Sequence, residues 1–183
     1  MTTVRNAPSP VVVRRPRSGE VGAYYFAYID LVPENDPLAV LESGLEETRT
    51  LLARFGEARG SHRYASGKWS VKELIGHIID GERVFAYRAL RMARGDKTPL
   101  AGFEQDDYVT ASGSDRRTLA DLVDEFAHLR AANLRFFRSL EPAAWERTGT
   151  ASDNPFIVCA FPYILAGHER HHRHMLAERY LPS

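Results

Sequence analysis

Four stretches of the chain carry apolar residues at helical spacing, and each is punctuated at its ends. The first opens on Asp36-Pro37, where Asp36 can cap and proline sits at the first helical position without losing a needed N–H. Leu38, Leu41, Leu45, Thr48, Leu52 and Phe55 then form one stripe, and Gly56 and Gly60 mark its end. The second opens on Trp69-Ser70-Val-Lys-Glu73-Leu74, a capping box from Ser70 to Glu73 flanked by a Trp69/Leu74 staple. Its stripe runs Leu74, His77, Ile78, Gly81, Val84, Phe85 and Arg88, and Gly95 ends it. The third starts at Thr118 with Asp121 in the capping-box position, carries the stripe Leu119, Leu122, Val123, Phe126, Leu129, Asn133, Phe136, Phe137 and Leu140, and stops before Pro142. The fourth covers Phe161 to Tyr180, and Pro162 requires either a start near Cys159 to Phe161 or a kink.

These signals predict helices over about 36–56, 70–94, 118–140 and 158–180. No strand-like alternation persists anywhere. The segment 148–154 reads as a turn-rich link, with Trp145 plugging the end of the bundle. The connection from Asp96 to Arg117 is long, and twenty-odd extended residues reach ~70 Å, whereas a 25-residue helix measures only ~37 Å. It can therefore return along the bundle and let helices two and three run parallel. The expected fold is an all-α four-helix bundle, with functional groups projecting inward from facing helices. Residues 1–22 read as an extended or flexible arm and 23–183 as the bundle domain. Within it, Tyr24, Tyr25 and Tyr28 pack aromatics onto the body.

Composition narrows the function classes. Among 183 residues, 24 Lys and Arg balance 24 Asp and Glu, so no basic excess points to nucleic acid or an anionic membrane. Arg14, Arg15 and Arg17 form only a short cluster, read as a solvated tail. The longest apolar run, Pro155 to Gly167, is too short to span a bilayer, and no signal-peptide core stands at the N-terminus. A single cysteine, Cys159, excludes an internal disulfide framework and reads as a buried small hydrophobe. The expectation is a cytoplasmic protein.

The chemistry gathers in the fourth helix, where four of the seven histidines fall between His168 and His174. His168 and His172 stand four apart on the apolar stripe, and two imidazoles so placed can grip one ion. His171 and His174 read instead as a solvated face near a helix C-terminus. His77 faces inward from helix two and offers a third nitrogen. Three protein ligands leave a coordination position open for water or substrate. Nitrogen-only ligation suits Zn²⁺ or Ni²⁺. Asp80, Glu82 and Glu169 are carboxylates that could orient the ligating rings. Gly81 leaves space beside His77, and the segment from Asp96 to Tyr108 is placed to rim a pocket.

Two segments resemble the DinB/YfiT-like superfamily: Lys68-Trp69-Ser70-Val-Lys-Glu73-Leu-Ile-Gly-His77-Ile-Ile-Asp80-Gly-Glu82-Arg83, and Ala166-Gly167-His168-Glu169-Arg170-His171-His172. The segment Arg88 to Phe103 also looks like one of its subgroups. The resemblance runs from about Asp36 to Tyr180. It implies an up-down-down-up bundle, a divalent metal on His77, His168 and His172, and a homodimer. It further implies a transferase or isomerase that uses a low-molecular-weight thiol such as bacillithiol, mycothiol or glutathione. Two readings compete. His168-Glu169-Arg-His-His172 matches the H-E-x-x-H zinc peptidase signature, with Glu169 as base. Such enzymes need a third ligand downstream, where only eleven residues remain and His174 lies too close on the same helix. A non-catalytic, stress-related metal-binding bundle predicts a bound ion without turnover.

Overall fold

The computed structural model describes residues 12–181. Its elements are α1 (Phe26–Ile29), α2 (Pro37–Ala53), α3 (Val71–Ala93), α4 (Gln105–Ser112), α5 (Leu119–Arg138), α6 (Pro142–Trp145), a hairpin of β1 (Thr148–Ala151) and β2 (Asn154–Ile157), and α7 (Ala160–Met175). A π-helical turn, Leu176–Tyr180, extends α7. The four long helices, α2, α3, α5 and α7, form a four-helix bundle. Around its axis α2 packs on α5 and α7, and α3 packs on the same two.

Local chemistry sets the helix starts. The Asp36 carboxylate accepts from the backbone N–H groups of Leu38 and Ala39, both at 3.1 Å. Ser70 Oγ accepts from the Glu73 N–H at 3.0 Å, and the Glu73 carboxylate accepts from the Ser70 N–H at 2.9 Å, closing the capping box. Thr118 accepts from the Asp121 N–H at 3.1 Å, but the Asp121 carboxylate turns to Arg117 at 2.5 Å, so that box stays half made. α7 begins directly after Cys159, with Pro162 in its first turn, where a missing N–H costs nothing.

Two apolar clusters fill the bundle, one at each end. Residues early in α2 and α7, such as Leu38, Leu41, Phe161 and Ile164, share one end with residues late in α3 and α5, such as Met92 and Phe137. The other end joins late α2 (Leu51, Leu52), early α3 (Leu74, Ile75, Ile78), early α5 (Leu122, Phe126) and Leu176 and Tyr180 beyond α7. Hence α2 and α7 run one way and α3 and α5 the other, which is the order up-down-down-up. Between the two clusters lies a band of buried polar residues: Thr48, Glu82, Arg130, Asn133, His168, Glu169 and His172.

Two segments depart from the sequence reading. The crossover contains α4, whose single buried residue, Val109, is too little for an apolar stripe to show. Asp106 and Asp107 in its first turn favour a helix start, and Gly113 closes it at φ +66°. The link 148–154 is partly strand: β1 and β2 pair antiparallel from Thr148↔Ile157 to Ala151↔Asn154. Strands of four residues are too short to display alternation. The turn residues, Ser152 at φ 48° and Asp153 at φ 57°, adopt the left-handed pair of a tight hairpin without the usual glycine.

The predicted arm divides. Residues 1–11 lie outside the described residues. From residue 12 the chain follows the body, with Val13 and Val21 buried in the core. Arg14 is half-buried and bridges Glu20 and Glu146, at 2.8 and 2.6 Å, while Arg17 is exposed. Arg15 donates to the backbone carbonyls of Val32 and Ile29, at 2.6 and 2.9 Å.

Candidate metal centre

α3 and α7 are packed neighbours, and that contact joins residues ninety positions apart in sequence. His77 enters from the second turn of α3, and His168 and His172 enter from consecutive turns of α7. Their Nε2 atoms face one another. His77 Nε2 lies 3.0 Å from His168 Nε2, and His172 Nε2 lies 3.1 Å from the same atom. All three rings are buried, each with 5–6% of its residue surface exposed.

Glycines permit this convergence. A Cβ on Gly81 would stand 3.2 Å from Cε1 of His168, so the gap in α3 is filled by that imidazole. A Cβ on Gly167 would lie 2.0 Å from the Tyr28 carbonyl oxygen. Only glycine lets α1 sit so close on α7. The close approach sets the Tyr28 ring edge-on to His168, with centroids 5.3 Å apart. Trp69 closes the other side, its ring 4.7 Å from that of His77.

Burial governs the electrostatics. It pushes His77 down to about 4, opposed by the distant charge of Asp106. It pushes His168 down to about 3, aided by His77 and His171, and lowers His172 further still. The three rings are therefore neutral at neutral pH, the form that ligates metal. Neutral imidazoles have one N–H each, so three facing Nε2 atoms at ~3 Å cannot all be satisfied by hydrogen bonds among themselves. His172 Nδ1, also buried, has no partner among the described residues. A divalent cation answers this arrangement. Two nitrogens on one tetrahedral zinc stand about 3.3–3.4 Å apart when each bond is about 2.0–2.1 Å, within a few tenths of the observed spacing.

The carboxylates selected from sequence lie elsewhere. Glu82 accepts from Arg130 and from Asn133, at 2.6–3.1 Å. Glu169 accepts from Thr48 at 2.6 Å and from Arg130 at 2.8 Å. Asp80 is half-buried and stands 3.6 Å from Arg83. None of the three bonds a triad imidazole. The reason is Arg130, a buried cation on α5 that draws both glutamates to itself and that the sequence pattern did not single out. His171 and His174 are exposed, as their off-stripe positions require.

Two cavities flank the triad. One of about 380 Å³ meets His172, with Trp69, Tyr64, Tyr180 and Lys68 in its wall. The other, about 250 Å³, meets His77 and His168, with Phe85, Arg88 and Phe103. Tyr24, Tyr28 and Gln105 border both. Part of the crossover, Phe103 to Asp106, forms their rim, as its length suggested. Trp69 and the N-terminal tyrosines belong to the site although the sequence assigned them to a staple and to packing. A Tyr-x3-Tyr spacing at 24 and 28 was their one signal.

The fold and site together define a helical bundle with three inward histidines on two adjacent helices, a set that could hold a metal ion. A sequence profile of the DinB superfamily matches residues 41–176, and this chain belongs to that superfamily. YfiT from Bacillus subtilis, described as a probable metal-dependent hydrolase with an unusual four-helix bundle topology, superposes with TM-score 0.70 at 14% identity. That match covers 92% of this chain and 93% of YfiT. The mycothiol-dependent maleylpyruvate isomerase superposes with TM-score 0.65 at 16% identity, over 79% of this chain and 61% of the isomerase. At these identities the likeness is one of fold. No curated protein sequence matches the chain. No helix among the described residues is long and apolar enough to cross a membrane.

Proposed function

We propose that this protein is a metal-dependent enzyme that joins or rearranges an electrophile with the help of a small thiol. The observation that carries the reading is the convergence of three neutral, buried imidazoles between two cavities. His77, His168 and His172 would hold one Zn²⁺ or Ni²⁺. When bound, that ion supplies a fixed positive charge that keeps a thiol deprotonated at neutral pH. The protein's own groups do the rest. Burial keeps the three rings unprotonated, Tyr28 packs edge to face on His168, and Trp69 packs at a tilt on His77. Cys159 takes no part: it is fully buried, and burial pushes its thiol up to about 12. The likeness to a thiol-dependent isomerase supports this reaction class.

The peptidase reading loses its base. Both oxygens of Glu169 are engaged, by Thr48 and Arg130, and the residue is 1% exposed. A general base must reach the water that it activates. A homodimer is proposed on the superfamily resemblance, and light scattering at micromolar concentration tests it.

The test of function begins with elemental analysis of the purified protein. Zinc- and nickel-loaded samples are then assayed with bacillithiol, mycothiol and glutathione against monochlorobimane. The expected result is one ion per chain and conjugation with at least one thiol. His77→Ala and His172→Ala should lose both. An ion-bearing protein inert with all three thiols would favour the non-catalytic bundle, and cleavage of casein would restore the peptidase.

A further inference from the structure

Arg88 and Arg130 are the most buried arginines among the described residues, at 2% and 1% exposure. Arg130 has two carboxylates. Arg88 has neutral partners only: Nη2 donates to the Ala101 carbonyl and to Ser152 Oγ, both at 2.9 Å. The rings of Phe85 and Phe103 flank its guanidinium, with centroids 5.5 and 5.8 Å away. No carboxylate of the described residues forms an ion pair with it. Burial lowers its pKa from the ordinary arginine value, against the influence of Tyr25. Taking a cation out of water without an anion is costly, and a guanidinium stays charged regardless. A structural clamp between Ala101 and Ser152 would need only a neutral donor.

The place of Arg88 explains the charge. It lines the cavity of about 250 Å³ that also holds His77, His168 and Gly81. On α3 it lies two turns beyond Gly81, about 10 Å of helix rise. Long helical side chains lean back towards the helix N-terminus, which from Arg88 is the direction of Gly81 and His77 along α3. Tyr24, Tyr25, Phe85 and Phe103 make the neighbouring wall aromatic. Glu104 is the single carboxylate in that wall, and it is exposed.

We propose that Arg88 anchors the carboxylate of the electrophilic substrate, a small organic acid with a flat unsaturated or aromatic body. The planar guanidinium fork matches a carboxylate in a way a lysine does not. The aromatic wall receives the flat body, and the end remote from the carboxylate is presented to the histidine triad. What happens at that end rests on the thiol-transfer reading; the anchoring itself does not.

The experiment is calorimetric titration of the full-length chain at low ionic strength, as purified and again after chelation, with cinnamate and with cinnamamide. Chelation removes any carboxylate binding to an ion. The expected result is a preference for cinnamate of tenfold or more that survives chelation and falls steeply with salt. Arg88→Lys should reduce the preference several-fold and Arg88→Met should abolish it, with cinnamamide affinity unchanged. Equal binding of acid and amide by the wild-type protein overturns the proposal, even if neither variant folds. So does a preference that persists in Arg88→Met. Absence of thiol turnover alongside an intact, Arg88-dependent preference would instead count against the reaction class alone.

Discussion

Two buried polar clusters share the middle of the bundle, and they differ in one respect. Around Arg130, every charge has an opposite neighbour: Glu82 and Glu169 flank the guanidinium, Arg173 stands 3.9 Å from Glu169, and Thr48, Asn133 and the Leu41 carbonyl take up remaining hydrogen bonds. Burial opposes the arginine's charge, but the two carboxylates outweigh it and raise its pKa. Around His77, His168 and His172, no group among the described residues completes the set. Both clusters draw on α3 and α7, yet the completed one ties the helices to one another and the incomplete one could hold a metal ion. A buried polar group that is satisfied belongs to the fold; one that is not invites a functional explanation.

The contrast is broken most forcefully at Arg130. Arg130→Met leaves Glu82 buried without a counter-charge and Glu169 with Arg173 alone, 3.9 Å away, and should cost about 3–5 kcal/mol in urea unfolding. Adding Glu82→Gln and Glu169→Gln should recover much of that loss, because the whole ionic set is then removed. A single-variant loss below about 1 kcal/mol would mean that the cluster is not the clamp described. For the same reason, Glu169→Gln alone weakens the fold and is a poor probe of catalysis.

Next comes the metal. Zinc at a hundredfold excess over its dissociation constant should stabilise the wild-type protein by about 2.7 kcal/mol. His77→Gln should lose that gain while changing the stability of the metal-free chain by no more than about 1 kcal/mol. Differential scanning calorimetry with and without zinc reads both, and an undiminished zinc response in the variant would remove His77 from the ligand set.

Acid sharpens the comparison further. In the metal-free chain His77 titrates near about 4 and His168 near about 3, both lowered by burial, against about 6.5 when unfolded. Between those limits the unfolded state binds more protons, so stability rises with pH there. It should be complete above about pH 6.5 and fall as pH drops towards 4 and 3. A urea midpoint that does not fall between pH 7 and pH 5 would show that the rings are not buried neutral. The smallest effect belongs to Cys159, which should resist iodoacetamide at pH 8. Cys159→Ala should leave metal retention intact and cost about 1 kcal/mol.

The sequence by itself determined the four helices, since their stripes, the Asp36 and Ser70 caps and Gly95 are all local signals. It also determined the three imidazoles, because a histidine inside an apolar stripe is visible without any partner. Even the aromatic cluster at 24–28 was placed on the body, though not in the site. The hairpin and α4 escaped because their strands and single buried valine are too short to show a period. The destination of Glu82 and Glu169 escaped for a different reason. Both were read as neighbours of the histidines because they lie near them in sequence, but Glu169 follows His168 and Glu82 lies five positions after His77, which turns them about 100° and about 140° away around the helix. Which partner each carboxylate meets depends on the helix packed opposite, and α5 delivers Arg130 there. The same holds for Arg88, whose lack of an ion-pair partner among the described residues is a property of the space around it. Local physics chose the elements and the ligand types; only packing decided which charges would be answered and which left open.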